Sequence, residues 1–235
     1  MGGIGRLALP GGFSSFSSRE DFICYNITNY EHFLASGKVV NTNSDENPDL
    51  WKALRGGSNN LGVVPRFDLR ALKRRRFWGG AVYYFPQSFP GQVESLVNEL
   101  KKTNASSETH IMLSIGYTAT YMQLGAALSQ GGNVLGPGPS DGPLVSILAF
   151  TCWQNKEDYE KIAEAIREVI EAIDRDAVSR GTSVPFKHLK YGWDFQDPIN
   201  SYGIENKQAL QEASRKYCSK GLFQKGGPIC SREKT

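Results

Sequence analysis

The chain has 235 residues, 40% hydrophobic and 22% charged, with 27 Lys and Arg against 24 Asp and Glu and a net charge of +3. That length holds one large domain or two small ones with a real core, and a charge so near balance points to no polyanionic partner. No apolar run of about 18 residues occurs, so no membrane-spanning helix is expected. Met1-Gly2-Gly3-Ile4-Gly5-Arg6 has neither the charged and apolar regions of a signal peptide nor the pattern for myristoylation, and the cellular location stays open.

Residues 1–18 set Ile4, Leu7, Leu9 and Phe13 between glycines, a pattern of tight turns wrapped around something. Phe22 to Asn43 reads as a hairpin whose two β-rich arms, 22–34 and 38–43, meet at Ala35-Ser36-Gly37. Asn47 is placed to cap a helix over 48–54. Pro48 suits its first position, where an N–H would have no partner, and Gly56 suits the left-handed residue that ends it. Gly57, Ser58, Asn59 and Asn60 then offer amides, a hydroxyl and positive-φ conformations before a strand over 61–69. Such a loop is either an anion-binding concavity or a glycine-rich helix-to-strand turn. The basic run 73–76 is followed at once by Phe77-Trp78-Gly79-Gly80 and reads as a solvated turn, not a nucleic-acid patch.

A strand is expected over 77–85, a helix over 91–102 from the spacing of Val93, Leu96, Val97 and Leu100, and a strand over 110–117. Residues 119–143 are rich in Gly, Pro and Ser and read as a loop of low order. A buried strand over 144–153 precedes the clearest helix, 156–180, capped by Asn155 and stopped by Gly181. Its apolar stripe is Tyr159, Ile162, Ala163, Ile166, Val169, Ile170 and Ile173. An extended aromatic segment, 186–195, and a helix over 205–217 follow, and the mixture of elements is α+β. Cys24 and Cys152 sit in apolar runs as buried thiols, Cys218 and Cys230 leave the question of pairing open, and no ligand spacing points to a metal.

Three segments in order carry a resemblance: Gly5-Arg-Leu-Ala-Leu-Pro-Gly-Gly-Phe-Ser14, Leu34-Ala-Ser-Gly-Lys-Val-Val-Asn-Thr42, and Asn47-Pro-Asp-Leu-Trp-Lys-Ala-Leu-Arg-Gly-Gly-Ser-Asn-Asn-Leu-Gly-Val-Val-Pro-Arg-Phe-Asp-Leu69. They are similar to the FAD-linked oxidoreductases of the berberine-bridge-enzyme-like family, fungal members above all, whose FAD-binding domain is of the PCMH (vanillyl-alcohol-oxidase-like) type. Gln196–Asn206 and Lys216–Gln224 resemble the family's closing segment. Two blocks of the family have no counterpart: the first FAD subdomain, with the histidine that tethers the flavin in many members, and a stretch near Tyr117–Gly131. The chain departs from the pattern at Pro10, Tyr25, Pro65 and Lys190.

The resemblance implies an α+β fold: the second half of a PCMH-type FAD-binding domain plus a reduced substrate domain of mixed sheet and helices. The boundaries would be 1–75 for the second FAD subdomain, 76–185 for the substrate-domain remnant, and 186–235 for a segment returning to the FAD domain. It implies FAD as cofactor, a small organic substrate giving hydride to flavin N5, oxygen as the usual re-oxidant, and a fungal secondary-metabolite setting. By position, Gly11, Gly12 and Ser14 would lie near the pyrophosphate and ribitol. Gly56, Gly57, Asn60 and Gly62 would line the phosphate and flavin edge, and Tyr191 would touch the ring. No catalytic base is assigned; Tyr117, Tyr121 and Tyr191 are candidates by residue type alone. The alternative is a truncated, catalytically inactive homologue or a gene-model fragment, binding no FAD.

Overall fold

The computed structural model describes residues 3–73, 79–80, 83–102, 111–113, 119–125, 133–137, 144–150, 155–193 and 195–226. Two short helices, α1 (Ile4–Ala8) and α2 (Ser17–Glu20), flank the first glycine turn. The hairpin follows as β1 (Ile27–Phe33) and β2 (Val39–Thr42), then α3 (Pro48–Gly57) and β3 (Val63–Leu69). These three strands form one antiparallel sheet in the order β2-β1-β3. The register of β1 against β3 slips between Ile27 and Asn29, which moves the buried face by one residue. Ile27 points inward before the slip, Tyr30 and His32 after it. A second slip, between Glu31 and Phe33, falls opposite Pro65. There a residue without an N–H costs the ladder least, and β3 is an edge strand.

Helix α3 presents Leu50, Ala53 and Leu54 to the core, and its regular part ends at Leu54. Arg55 (φ −80°, ψ 72°) breaks the helix and Gly56 (φ 121°) takes the positive-φ conformation expected of it. Asn47 stands at the N-cap position but does not cap. It is left-handed (φ 51°) and its side-chain amide donates instead to the Asn41 carbonyl at 2.9 Å, tying α3 to the hairpin. Against this layer pack α6 (Ile204–Tyr217), through Leu210 and Ala213, and α7 (Leu222–Gly226), where Gln224 donates to the Asn60 carbonyl at 2.5 Å. Asp49 of α3 accepts from Lys216 Nζ and from the Tyr217 hydroxyl of α6, each at 2.7 Å.

The second layer holds α4 (Phe89–Leu100), the antiparallel sheet β4 (Met112–Leu113), β5 (Ala119–Gly125) and β6 (Leu144–Phe150), and α5 (Tyr159–Ser179). Two parts of the expected low-order loop are ordered. Residues 119–125 form β5, in register with β6 from Ala119 opposite Phe150 to Gly125 opposite Leu144. Residues 133–135 insert into the first layer's core, with Val134 and Leu135 fully buried. The physical reason is pairing: β5 gains its ladder from β6, a partner that weak local periodicity does not reveal. Residues 83–85 and the segment 186–193 form no strand, and α5 starts at Tyr159 after a 3-10 turn over Lys156–Asp158. Cys24 and Cys218 are buried free thiols; Cys152, Cys230 and residues 74–76 lie outside the described residues. Among the described residues no helix is long and apolar enough to cross a membrane.

Candidate functional site

The glycine loop after α3 is a packed junction. The Gly56 and Ser58 amides both donate to the Leu9 carbonyl, at 2.9 and 3.3 Å, and the Gly56 carbonyl accepts the Tyr202 hydroxyl at 3.3 Å. Asn60 donates its side-chain amide to the Gly57 carbonyl at 2.8 Å. The room that small residues leave is filled by this chain. A Cβ at Gly56 would lie 2.7 Å from Leu135, one at Gly57 2.8 Å from Leu210, and one at Gly62 2.2 Å from His32 Nε2.

Behind the loop sits Arg55, which the sequence did not single out. Its guanidinium is buried, lies 3.6 Å over the Trp51 ring, and donates to the Tyr25 and Ile27 carbonyls at 3.3 and 3.4 Å. Burial lowers its pKa below the usual arginine range. A buried cation held by ring faces and carbonyls needs a planar group, so lysine would not replace it.

The first glycine turn meets this junction from the other side. Gly11 (φ 107°) and Gly12 (φ 75°) are buried, and their carbonyls accept from Cys24 and Ile23, both at 2.9 Å. Ser14 accepts the Phe16 amide at 3.2 Å and donates its own amide to Ser17 Oγ at 2.8 Å. Between Gly12 and Ser14, Phe13 turns away from the loop toward Phe22 (4.9 Å between ring centroids) and His188 (5.3 Å).

Phe13 thereby reaches a cavity of about 670 Å³ between the two layers. Its walls are β6 (Leu144, Ser146, Leu148), the stripe of α5 (Ile166, Ile170, Ile173) and an aromatic side made by Phe13, Phe186, His188, Tyr191 and Trp193. The volume lies within the range of small-molecule sites. Among the described residues the only charged ones lining it, Asp174 and Lys187, are joined by a bidentate contact at 2.7 and 2.8 Å and neutralise each other.

His188 is the buried polar group of that wall among the described residues. It is 9% exposed, packs on Tyr191 at 5.0 Å, and accepts the Lys190 amide at Nδ1 at 3.2 Å. In the neutral ring the proton therefore sits on Nε2, which has no hydrogen-bond partner among the described residues. Burial, and then the nearby Lys190 charge, push its pKa down to about 4, so the ring is neutral at pH 7. A lone histidine in an aromatic run carries no motif; the signal is three-dimensional.

Of the residues the family pattern assigned, the structure brings Gly11 and Gly56 together around Leu135, while Gly57, Asn60 and Gly62 continue the same junction. Tyr191 stands apart from them, 46% exposed, on the cavity. Tyr121 lies on β5 opposite Leu148 in register, and Tyr117 falls outside the described residues. Among the described residues no cluster of three or more His, Cys, Asp or Glu could hold a metal.

No family model matches the chain. It is 26% identical over 335 aligned positions to the FAD-dependent monooxygenase FUP4 of Fusarium proliferatum, covering 95% of this chain and 65% of that protein. The chain thus spans about two thirds of that relative. The 335 positions exceed its 235 residues by 100, so at least that many aligned positions have no counterpart in this chain. Among solved structures, BBE-like 1 of Physcomitrella patens superposes with a TM-score of 0.68 at 16% identity, over 98% of this chain and 71% of that one. The 6-hydroxy-D-nicotine oxidase of Arthrobacter nicotinovorans gives 0.66 at 16%, over 98% and 72%. The chain is a relative of fungal FAD-dependent monooxygenases with the fold of the berberine-bridge-enzyme-like, PCMH-type flavoproteins, shorter than they are within the aligned stretch.

Proposed function

We propose that the chain is an FAD-linked oxidoreductase acting on a small organic molecule in fungal secondary metabolism, with the interlayer cavity as the place where flavin ring and substrate meet. One observation carries the reading. The turn at Gly11–Ser14 and Tyr191, assigned by the family pattern to the diphosphate–ribitol stretch and to the ring of the cofactor, reach one cavity through the contacts Phe13–His188–Tyr191. Apolar walls, a buried Nε2 without a partner among the described residues, and lining charges that cancel in the Asp174–Lys187 pair suit a flat, neutral aromatic ring.

In this reading Gly11, Gly12 and Ser14 lie toward the diphosphate and Tyr191 against the ring. Gly56 braces the turn from behind through the Leu9 carbonyl and Leu135, with Gly57, Asn60 and Gly62 continuing the loop behind it, and amide contact of Gly56 with the cofactor requires it to release the Leu9 carbonyl. When bound, FAD supplies the electron-accepting chemistry, with oxygen as its re-oxidant; the protein supplies orientation and a dry wall. The α5 stripe and β6 exclude water from one side of the ring.

A second reading, a non-catalytic relative, is favoured by the Leu9 carbonyl already holding the Gly56 and Ser58 amides. One experiment separates the two. The purified full chain is titrated with FAD and followed by flavin absorbance, with release of FAD on denaturation. Stoichiometric uptake is expected. A folded, colourless protein that takes up no FAD overturns the enzyme reading and supports the second.

A further inference from the structure

Within the proposed ring-binding reading of the cavity, one polar group is left without a task. His188 is nine-tenths buried, its tautomer is set by the Lys190 amide at Nδ1, and its Nε2–H meets no acceptor among the described residues. A buried donor without a partner costs about 1–3 kcal/mol relative to one that is bonded, so an acceptor entering the cavity would be held there. Every other side chain of the aromatic wall is an apolar surface, or a tyrosine or tryptophan with a polar tip. The charged residues that line it among those described, Asp174 and Lys187, are closed on each other, so neither offers a free charge to an anion or a cation. Nε2 is sealed from water by its packed neighbours, so an acceptor reaches it only when one of the rings on it turns aside; of Phe13, Phe186 and Tyr191, Tyr191 is the most exposed, at 46%, and lies 5.0 Å away.

We propose that the cavity binds a planar, uncharged aromatic ring system bearing a carbonyl oxygen, and that His188 positions it by donating Nε2–H to that oxygen. The flavin ring and a free aromatic ketone share this chemistry. His188 is a positioning and specificity residue here, and nothing in its role requires it to exchange a proton.

The test uses the full chain with three probes: 9-fluorenone, its hydrocarbon counterpart fluorene, and lumiflavin, the flavin ring without its diphosphate tail. Binding is followed by quenching of tryptophan fluorescence, since Trp193 lines the cavity. His188→Phe keeps a ring beside Phe13 and Phe186 and removes the donor; His188→Gln keeps a donor. Fluorenone affinity is expected to fall about tenfold in H188F and to recover in H188Q, while fluorene binds H188F as it binds the native chain. The carbonyl stretch of bound fluorenone is expected to shift to lower frequency than in an apolar solvent. An unshifted stretch, or equal loss of fluorenone and fluorene in H188F, overturns the proposal, and the infrared result decides even where H188F does not fold. Lumiflavin displacing fluorenone assigns the flavin ring as occupant; fluorenone binding without lumiflavin assigns a free aromatic ketone. Binding by neither overturns the proposal. Failure of FAD uptake with intact fluorenone binding removes the FAD reading and leaves this one standing.

Discussion

At Gly62 the chain has no room for a side chain, because a Cβ there would lie 2.2 Å from His32 Nε2 and 2.3 Å from the Phe33 carbonyl. The carbonyl belongs to β1 and cannot step aside without breaking the pairing of Phe33 with Val63. Gly62→Ala is therefore expected to cost about 3 kcal/mol or more, by urea unfolding. Gly91→Ala is its control. That residue lies in α4 with nothing within 4 Å of an added Cβ, and the change is expected to stabilise by up to about 1 kcal/mol. His32 carries the second residue-scale consequence. It is fully buried with neither ring nitrogen bonded to a described residue, and desolvation pushes its pKa down to about 4, as it does for His188. The folded pKa is depressed, so between the unfolded value of about 6.5 and about 4 the unfolded chain binds more protons. Stability is full above that window and falls as the pH drops through it, by an order of about 3 kcal/mol for each histidine. Urea midpoints at pH 7 and pH 4.5 are expected to show the drop, and His32→Leu to reduce it by about half. Equal midpoints at the two pH values would contradict the burial of both rings.

Among the elements, α3 and α5 look alike in sequence, since both are amphipathic, but they do different work. Leu50 and Leu54 of α3 are fully buried, whereas no residue of the 21-residue α5 is, because its stripe faces the cavity instead of a packed sheet. Leu54→Ala is expected to cost about 2–5 kcal/mol, and Ile170→Ala less than about 1.5 kcal/mol, since the second removes atoms from a wall that is already open. Thermal or urea unfolding of the two variants checks the contrast; equal losses would mean that the cavity is closed in solution. The same contrast explains what was legible in the sequence. The hairpin, α3, α5 and α6 show themselves because turn residues, stop glycines such as Gly56 and Gly181, and period are local properties, whereas the caps expected of Asn47 and Asn155 do not form. β5 was missed because Ala119–Gly125 has weak alternation and acquires its strand character from β6. Val134 and Leu135 were missed because a pair of apolar residues among glycines gives no periodic signal, although the Gly11 and Gly56 positions are shaped around Leu135. The family's glycines were readable as a pattern, but the identity of what fills the space beside them was not. His188 had no sequence signature at all, since its unpartnered nitrogen exists only once 186–191 folds against Phe13.

Across the whole molecule, the first layer is a closed core and the second is a lid with space beneath it. In the first, the β2-β1-β3 sheet, α3 and α6 are joined by buried leucines and by the Asp49 contacts to Lys216 and Tyr217. In the second, only Leu96 is buried among the residues of α4 and α5. Local stability follows buried apolar contact, so amide exchange should separate the layers. The amides of β1 and α3 are expected to exchange only through global unfolding, and those of α5 through a smaller opening, faster by at least tenfold. This difference couples the fold to the proposed site. A ligand seated between β6 and α5 binds the closed arrangement and not the opened one, so at 100 times its dissociation constant it stabilises closure by about 2.7 kcal/mol. Fluorenone, or FAD where it is taken up, is accordingly expected to slow exchange in α5 about a hundredfold and to leave that of β1 and α3 limited by global unfolding, with hydrogen exchange and mass spectrometry as the measurement. Protection confined to the 47–62 loop instead would place the ligand at the glycine junction and remove the cavity from the site.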